Sequence, residues 1–147
     1  MAAQPELHPA VAVFDQMARI DNHVRGNVSR HLPAGTSYAQ YEVLRLLERY
    51  GEGQTPAEIA RALGAAKSGL TNTLQRLEAS GLITVVPCGQ DARKKRVANT
   101  PVGRDVYMHA VMAIRPKMER LREAFTWDEF REVLPFLKAL NAWFEED

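Results

Sequence analysis

Apolar residues recur along this chain at two different periods. From Pro9 to Leu32 the series Val11, Phe14, Met17 or Ala18, Val24, Val28 and Leu32 returns every three or four positions. That spacing lines one face of a helix of roughly 22 residues, which Pro33 and Gly35 should close. Ser37 to about Arg49 gives a second helix with Tyr41, Leu44 and Leu47 inward, and GEGQ after Tyr50 reads as a loop. A third helix opens at Thr55, because Thr55, Pro56 and Glu58 hold the places of a capping hydroxyl, a first-turn proline and a reciprocal capping carboxylate. Ile59, Ala60 and Leu63 share its inner face, and Gly64 supplies the positive φ that ends it. After one short turn a fourth helix runs from about Ala66 to Ser80, with Leu70, Leu74 and Leu77 inward, and Gly81 stops it.

The period then changes. Ile83, Thr84, Val85 and Val86 favour a strand, Gly89 to Lys95 is polar and turn-prone, and Arg96 to Thr100 can return as a second strand. The expected product is a two-stranded hairpin with Arg93, Lys94, Lys95 and Arg96 at or near its tip. Thr100 and Pro101 then cap a further helix carrying Val102, Val106, Ala110, Ala113 or Ile114, Leu121 and Phe125 on one side. Pro116 should interrupt that helix with a kink near Ala113 to Pro116. Thr126 and Glu129 form another capping box, opening a last helix with Phe130, Val133, Leu134, Leu137, Leu140, Trp143 and Phe144, which Pro135 should bend or split. The predicted fold class is mainly α (α+β).

The inward stripe of the fourth helix leaves Lys67, Ser68, Thr71, Asn72, Gln75 and Arg76 facing out. Such side chains bond base edges and phosphates when a helix enters the major groove of DNA. Charge supports that reading. The whole chain carries a net charge of only +1, yet residues 55–100 hold seven Lys and Arg against three Asp and Glu, a net of +4. Residues 1–54 are at −1 and residues 101–147 at −2. Cations confined to one segment of a near-neutral protein mark a docking face for a polyanion. A merely solvated helix face and a solubilising turn would explain either feature alone, but less well the two together.

At 147 residues, with 46% hydrophobic and 25% charged, the chain reads as one globular domain. Neither a membrane-spanning run nor a signal peptide is indicated, which points to the cytoplasm and to no membrane partner. The single cysteine, Cys88, cannot close an internal disulfide, and a redox role is the lesser reading of a lone thiol in the hairpin. His23, His31 and His109 show no ligand spacing and read as core or interface residues, and Trp127, Trp143, Phe125 and Phe130 as dimer core before ligand contacts. No nucleophile with a base, phosphate-binding glycine loop or metal triad stands out, so no enzyme activity, cofactor or metal is expected.

The order of elements resembles the MarR family of bacterial winged helix-turn-helix regulators. The resemblance rests on YAQYEVLRLLERYGEGQTPAEIARALG, on NTLQRLEASGLI, and on DARKKRVANTPVG, which is similar to the family's D-x-R-x-x-x-V…T-x-x-G signature as Asp91, Arg93, Val97, Thr100 and Gly103. It covers about residues 10–145. It implies a winged helix-turn-helix lobe over residues 37–100, and long dimerisation helices over 9–32 and 101–145. The protein would be a homodimer that binds an inverted repeat in double-stranded DNA, most simply as a repressor, and releases it when a small aromatic or anionic effector binds between the lobes. The resemblance also implies that Arg93 enters the minor groove and that Asp91 holds it there, with Lys94, Lys95 and Arg96 beside it. A narrow minor groove concentrates negative potential and selects arginine. The alternative is a winged-helix module that assembles with protein and reads no DNA.

Two positions depart from the family pattern. Ala66 stands where a capping serine or threonine is usual, and Gly69 where a β-branched or polar residue is. Each weakens the start of the fourth helix by up to about 1 kcal/mol. Alternatively, Ser68 caps a helix that begins later.

Overall fold

The computed structural model describes residues 8–51, 53–89 and 91–146, without the side chains of Cys88, Asp91, Ala92 and Arg93. The elements are α1 (Pro9–Ser29), α2 (Tyr38–Tyr50), α3 (Pro56–Leu63), α4 (Lys67–Ala79), β1 (Ile83–Cys88), β2 (Asp91–Asn99), α5 (Pro101–Arg120), a single 3-10 turn (Leu121–Glu123) and α6 (Trp127–Glu146). The chain divides into two compact units, Met1–Val111 and Met112–Asp147.

In the first unit, the local signals set the helix starts. Ser37 and Gln40 form a reciprocal capping box on α2, with both hydrogen bonds at 3.2 Å. Thr55 and Glu58 do the same on α3 at 3.0 and 3.2 Å, and Gly64 ends α3 in the left-handed region at φ 60°. α1 stops at Ser29, three residues before the predicted end at Leu32: the His31 and Leu32 amides donate only three residues back, to the carbonyls of Val28 and Ser29, in tighter turns than the helix makes.

The core of this unit is built from α2 (Val43, Leu44, Leu46, Leu47), α3 (Ile59, Ala60), α4 (Leu70, Leu74, Leu77) and the hairpin (Leu82, Ile83, Val97). Leu44, Leu47, Ile59, Ala60, Leu70, Leu74 and Leu77 were predicted to face inward; Val43, Leu46, Leu82, Ile83 and Val97 were not, and the predicted Leu63 packs against the cluster only partly buried. Tyr41 joins them from α2.

β1 and β2 pair antiparallel, from Ile83 opposite Asn99 to Pro87 opposite Lys95. The polar turn expected from Gly89 to Lys95 is shorter: β2 already begins at Asp91, so Arg93, Lys94, Lys95 and Arg96 belong to the strand, near the tip of the hairpin as expected. Gly89, at φ 54°, permits a tighter reversal than the charge pattern suggested. The register shifts between Pro87–Lys95 and Cys88–Asp91, so residues 92–94 have no partner position on β1. Pro87, which has no amide hydrogen to donate, sits where the ladder breaks. A third, one-pair contact was not foreseen: Gln54 bridges to Val97.

In the second unit Thr126 and Glu129 cap α6 as predicted. Neither proline divides its helix. Pro116 lies inside α5 and Pro135 inside α6. An internal proline removes one helical hydrogen bond, and the flanking bonds carry the helix across. Within a single chain α6 has no buried residue, and α1 buries only Val28. No described helix is long and apolar enough to cross a membrane.

Candidate nucleic-acid interface

α4 places the predicted reading side chains as its amphipathic pattern requires. Leu70, Leu74 and Leu77 are buried, and Lys67, Ser68, Thr71, Asn72, Gln75 and Arg76 are all exposed on the other side. The Thr71 hydroxyl donates to the Lys67 carbonyl at 2.9 Å, which leaves its lone pairs as acceptors. Lys94, Lys95 and Arg96 are exposed on β2. The side chains of Asp91 and Arg93, like that of Cys88, fall outside the described residues.

The turn into α4 is the weakest joint of this surface. Ala66 occupies the capping position at φ −66° and ψ 140°, with no side chain to accept from the first-turn amides. The helix nevertheless begins at Lys67, so Ser68 is not its cap. A cavity of about 230 Å³ lies against this joint, lined by Ala39, Glu42 and Val43 of α2, Leu63 of α3, Ala65 and Ala66 of the turn, and Gly69, Leu70 and Thr73 of α4. The start of α4 therefore lacks both a cap and dense packing on that side.

Side-chain hydrogen bonds donated by Arg96, Asn99 and Thr100 tie β2 and its exit to the loop after α2, to α2 and to the exit of α4, across 19 to 55 residues of chain. Arg96 donates to the Gly53 carbonyl at 2.6 Å. The Asn99 amide donates to the Leu44 carbonyl at 3.2 Å and to Glu48 at 3.3 Å, and Arg104 of α5 pairs with the same Glu48 oxygen at 3.0 Å. The Thr100 hydroxyl donates to the Gly81 carbonyl at 2.6 Å while accepting from the Gly103 amide at 3.0 Å. Thr100 thus caps α5 and grips the exit of α4 with one oxygen. Sequence reasoning found the cap and missed the grip, since no local pattern marks Gly81 as its acceptor.

Behind α2, Arg25 of α1 lies over the Tyr38 ring at 4.7 Å, and Tyr41 stacks on Tyr107 of α5 at 5.8 Å between centroids. Burial pushes the phenols of Tyr38 and Tyr41 above their ordinary range, with Glu42 adding to the shift at Tyr38 and Tyr107 at Tyr41. The histidines behave differently from a core set: His23, His31 and His109 are exposed in the single chain. Among the described residues no three His, Cys, Asp or Glu side chains group to hold a metal.

Comparison with known proteins places this geometry. Residues 34–94 match the family model described as MarR family. The transcriptional activatory protein BadR of Rhodopseudomonas palustris is 29% identical over 109 residues, which is 72% of this chain and 62% of that protein. The chain thus spans under two thirds of that relative's length. The PcaV transcriptional regulator from Streptomyces coelicolor, solved in complex with its natural ligand, superposes with a TM-score of 0.73 at 20% identity, covering 97% of each chain. A cysteine-to-serine mutant of MarR from E. coli, complexed with operator DNA, superposes with a TM-score of 0.72 at 22% identity, over 92% of this chain and 98% of that one. At these identities the structural likenesses establish the fold.

Proposed function

The chain carries a MarR-family winged helix-turn-helix, and from that premise we propose that it is a sequence-specific, DNA-binding regulator of transcription acting as a homodimer in the cytoplasm. One observation carries the reading. The face of α4 opposite its buried leucines is wholly polar and exposed, and the segment from α3 through β2 holds the positive charge of an otherwise near-neutral chain. Asn72, Gln75 and Arg76 suit base edges in the major groove, and the strand cations suit phosphates and the adjacent minor groove.

The dimer follows from apolar surface. Phe14, Met17, Ile20 and Val24 of α1 and Phe130, Val133, Leu134, Phe136, Trp143 and Phe144 of α6 are all exposed in one chain. Exposed apolar side chains in that number on each helix want a partner, and a two-fold copy would present two α4 helices to major grooves about 34 Å apart.

Repression by operator occupancy, relieved by a small aromatic anion, completes the proposal. PcaV supports the effector by likeness, having been solved with its natural ligand. In this chain Arg25, ion-paired with Asp21, lies over Tyr38, whose ring is tilted against Tyr41, and Tyr41 stacks on Tyr107, which brings a cation and aromatic rings together between α1, α2 and α5.

The test is binding of the purified protein to duplexes from its own genome against random duplex, across a salt series. A reader of DNA prefers some genomic fragment and loses affinity steeply as salt rises. Equal affinity for all duplexes at physiological salt sinks the proposal in favour of a protein-binding module. A promoter reporter that falls, instead of rising, when the gene is deleted would overturn repression.

A further inference from the structure

We infer that Arg96 is a positioning residue that locks the hairpin to the loop between α2 and α3, and so sets the distance between the hairpin and α4. The inference rests on the DNA-reading function proposed above and assigns one of its basic residues a different task.

The geometry is specific. The Arg96 guanidinium donates to the Gly53 carbonyl at 2.6 Å across 43 residues of chain. On either side of that bond the backbone is stitched as well: the Gly53 amide donates to the Val97 carbonyl at 3.3 Å, and the Val97 amide to the Gln54 carbonyl at 2.8 Å. Gly53 stands at φ +94°, where a side chain is strained, and a Cβ there would lie 3.1 Å from the guanidinium nitrogen and 3.5 Å from Cδ. Glycine at 53 therefore does two things: it allows the backbone to turn its carbonyl toward β2, and it leaves room for the arginine to cross it. Thr55, the cap of α3, follows two residues later, so a loop held at Gly53 and Gln54 is held at the root of the helix pair.

A planar guanidinium suits this task. It keeps its charge and reaches a carbonyl with a directed N–H. A hairpin and a helix that must enter neighbouring grooves at once lose affinity when their spacing wanders, because the ordering cost then falls on binding. Arg96 would pay that cost in the free protein.

The experiment reads the free protein and the complex separately, using Arg96→Ala, Arg96→Lys, Gly53→Ala and, as a phosphate-contact comparison, Lys95→Ala. In the free protein, amide hydrogen exchange at Gly53 and Val97 should speed up about five- to tenfold in Arg96→Ala and Gly53→Ala, the scale of one lost hydrogen bond, and stay unchanged in Lys95→Ala. On DNA, the affinity of Arg96→Ala should fall while the slope of log K against log salt keeps the wild-type value. Loss of a phosphate contact lowers that slope by about one, which is the result expected of Lys95→Ala. Arg96→Lys keeps the charge and should still lose the exchange protection.

Unchanged exchange in Arg96→Ala overturns the inference, and so does a slope lowered by about one. If the wild-type protein prefers no duplex, the DNA-reading proposal falls, while the exchange arm still decides whether Arg96 holds Gly53.

Discussion

A Cβ placed on Gly103 would lie 2.0 Å from the carbonyl oxygen of Leu82. The two residues join the start of α5 to the exit of α4, and the Thr100 amide donates to that same Leu82 carbonyl at 3.1 Å. The backbones approach so closely that only a hydrogen fits between them, which is why glycine stands three residues after the capping threonine. Gly103→Ala should therefore force the two segments apart. Overpacking of this kind costs about 1–3 kcal/mol, and more when the obstacle is backbone. A urea unfolding midpoint equal to wild type would show that the junction yields freely.

Ala66 already has the extended backbone of a helix cap and lacks only the side chain. Ala66→Ser should add about 1 kcal/mol by accepting from a first-turn amide of α4. Gly69→Ala should add about 0.5–1 kcal/mol, since a Cβ there meets nothing within 4 Å. Thermal unfolding of each variant gives the sign directly. A lowered transition would mean that the joint is shaped by something other than its missing cap.

On DNA, Arg93→Ala is expected to weaken binding by about 1–3 kcal/mol and to relax preference for A·T-rich flanks, if Arg93 reads the minor groove. Lys94→Ala should weaken all sequences alike. Titrating both variants against operator and flank-altered duplexes separates the roles, and identical profiles would remove the special role of Arg93.

Leu134 is 47% exposed on α6, among other exposed apolar residues. Leu134→Asp puts a charge into the face proposed to meet a second copy, where an unpaired buried charge is strongly unfavourable. Sedimentation at micromolar concentration should shift from dimer to monomer, with the core of the first unit intact by far-ultraviolet dichroism. A dimer of unchanged stability would place the interface elsewhere.

Glu129 accepts from the Thr126 amide at 2.7 Å and from its hydroxyl at 3.1 Å, and these bonds hold its carboxyl below the ordinary value of 4.5. A carboxylate whose folded pKa is lowered contributes in full above the unfolded value and loses that contribution as pH falls through the folded one. The start of α6 should thus loosen only below about pH 4.5, seen as faster exchange of the Thr126 amide. Glu129→Gln should lack that pH dependence, and its persistence there would assign the loosening to another group.

The two prolines and the hairpin turn show where local reasoning overreaches. Pro116 read as an interruption with a kink and Pro135 as a bend or split because the rule counts the bond each one removes; α5 and α6 each run on through their proline without a break. Gly89 to Lys95 read as a turn because the run is polar, yet pairing with β1 draws Lys95 into the strand that was expected to start at Arg96, and a register shift absorbs residues 92–94. Gly103 was legible as part of a motif, and its contact with Leu82 was not.

What the amino-acid sequence determined by itself was everything that acts within a turn or two of helix: the capping pairs Ser37–Gln40, Thr55–Glu58 and Thr126–Glu129, the leucine stripe of α4, and therefore which side chains α4 turns outward. Those interactions join residues three or four apart, so spacing alone reveals them. Only the tertiary structure decided the contacts of Arg96 with Gly53, Asn99 and Arg104 with Glu48, and Gly103 with Leu82. Such pairs form after the chain has closed loops of roughly 20 to 55 residues, and which partner is met depends on how the buried stripes have packed, for which periodicity carries no signal.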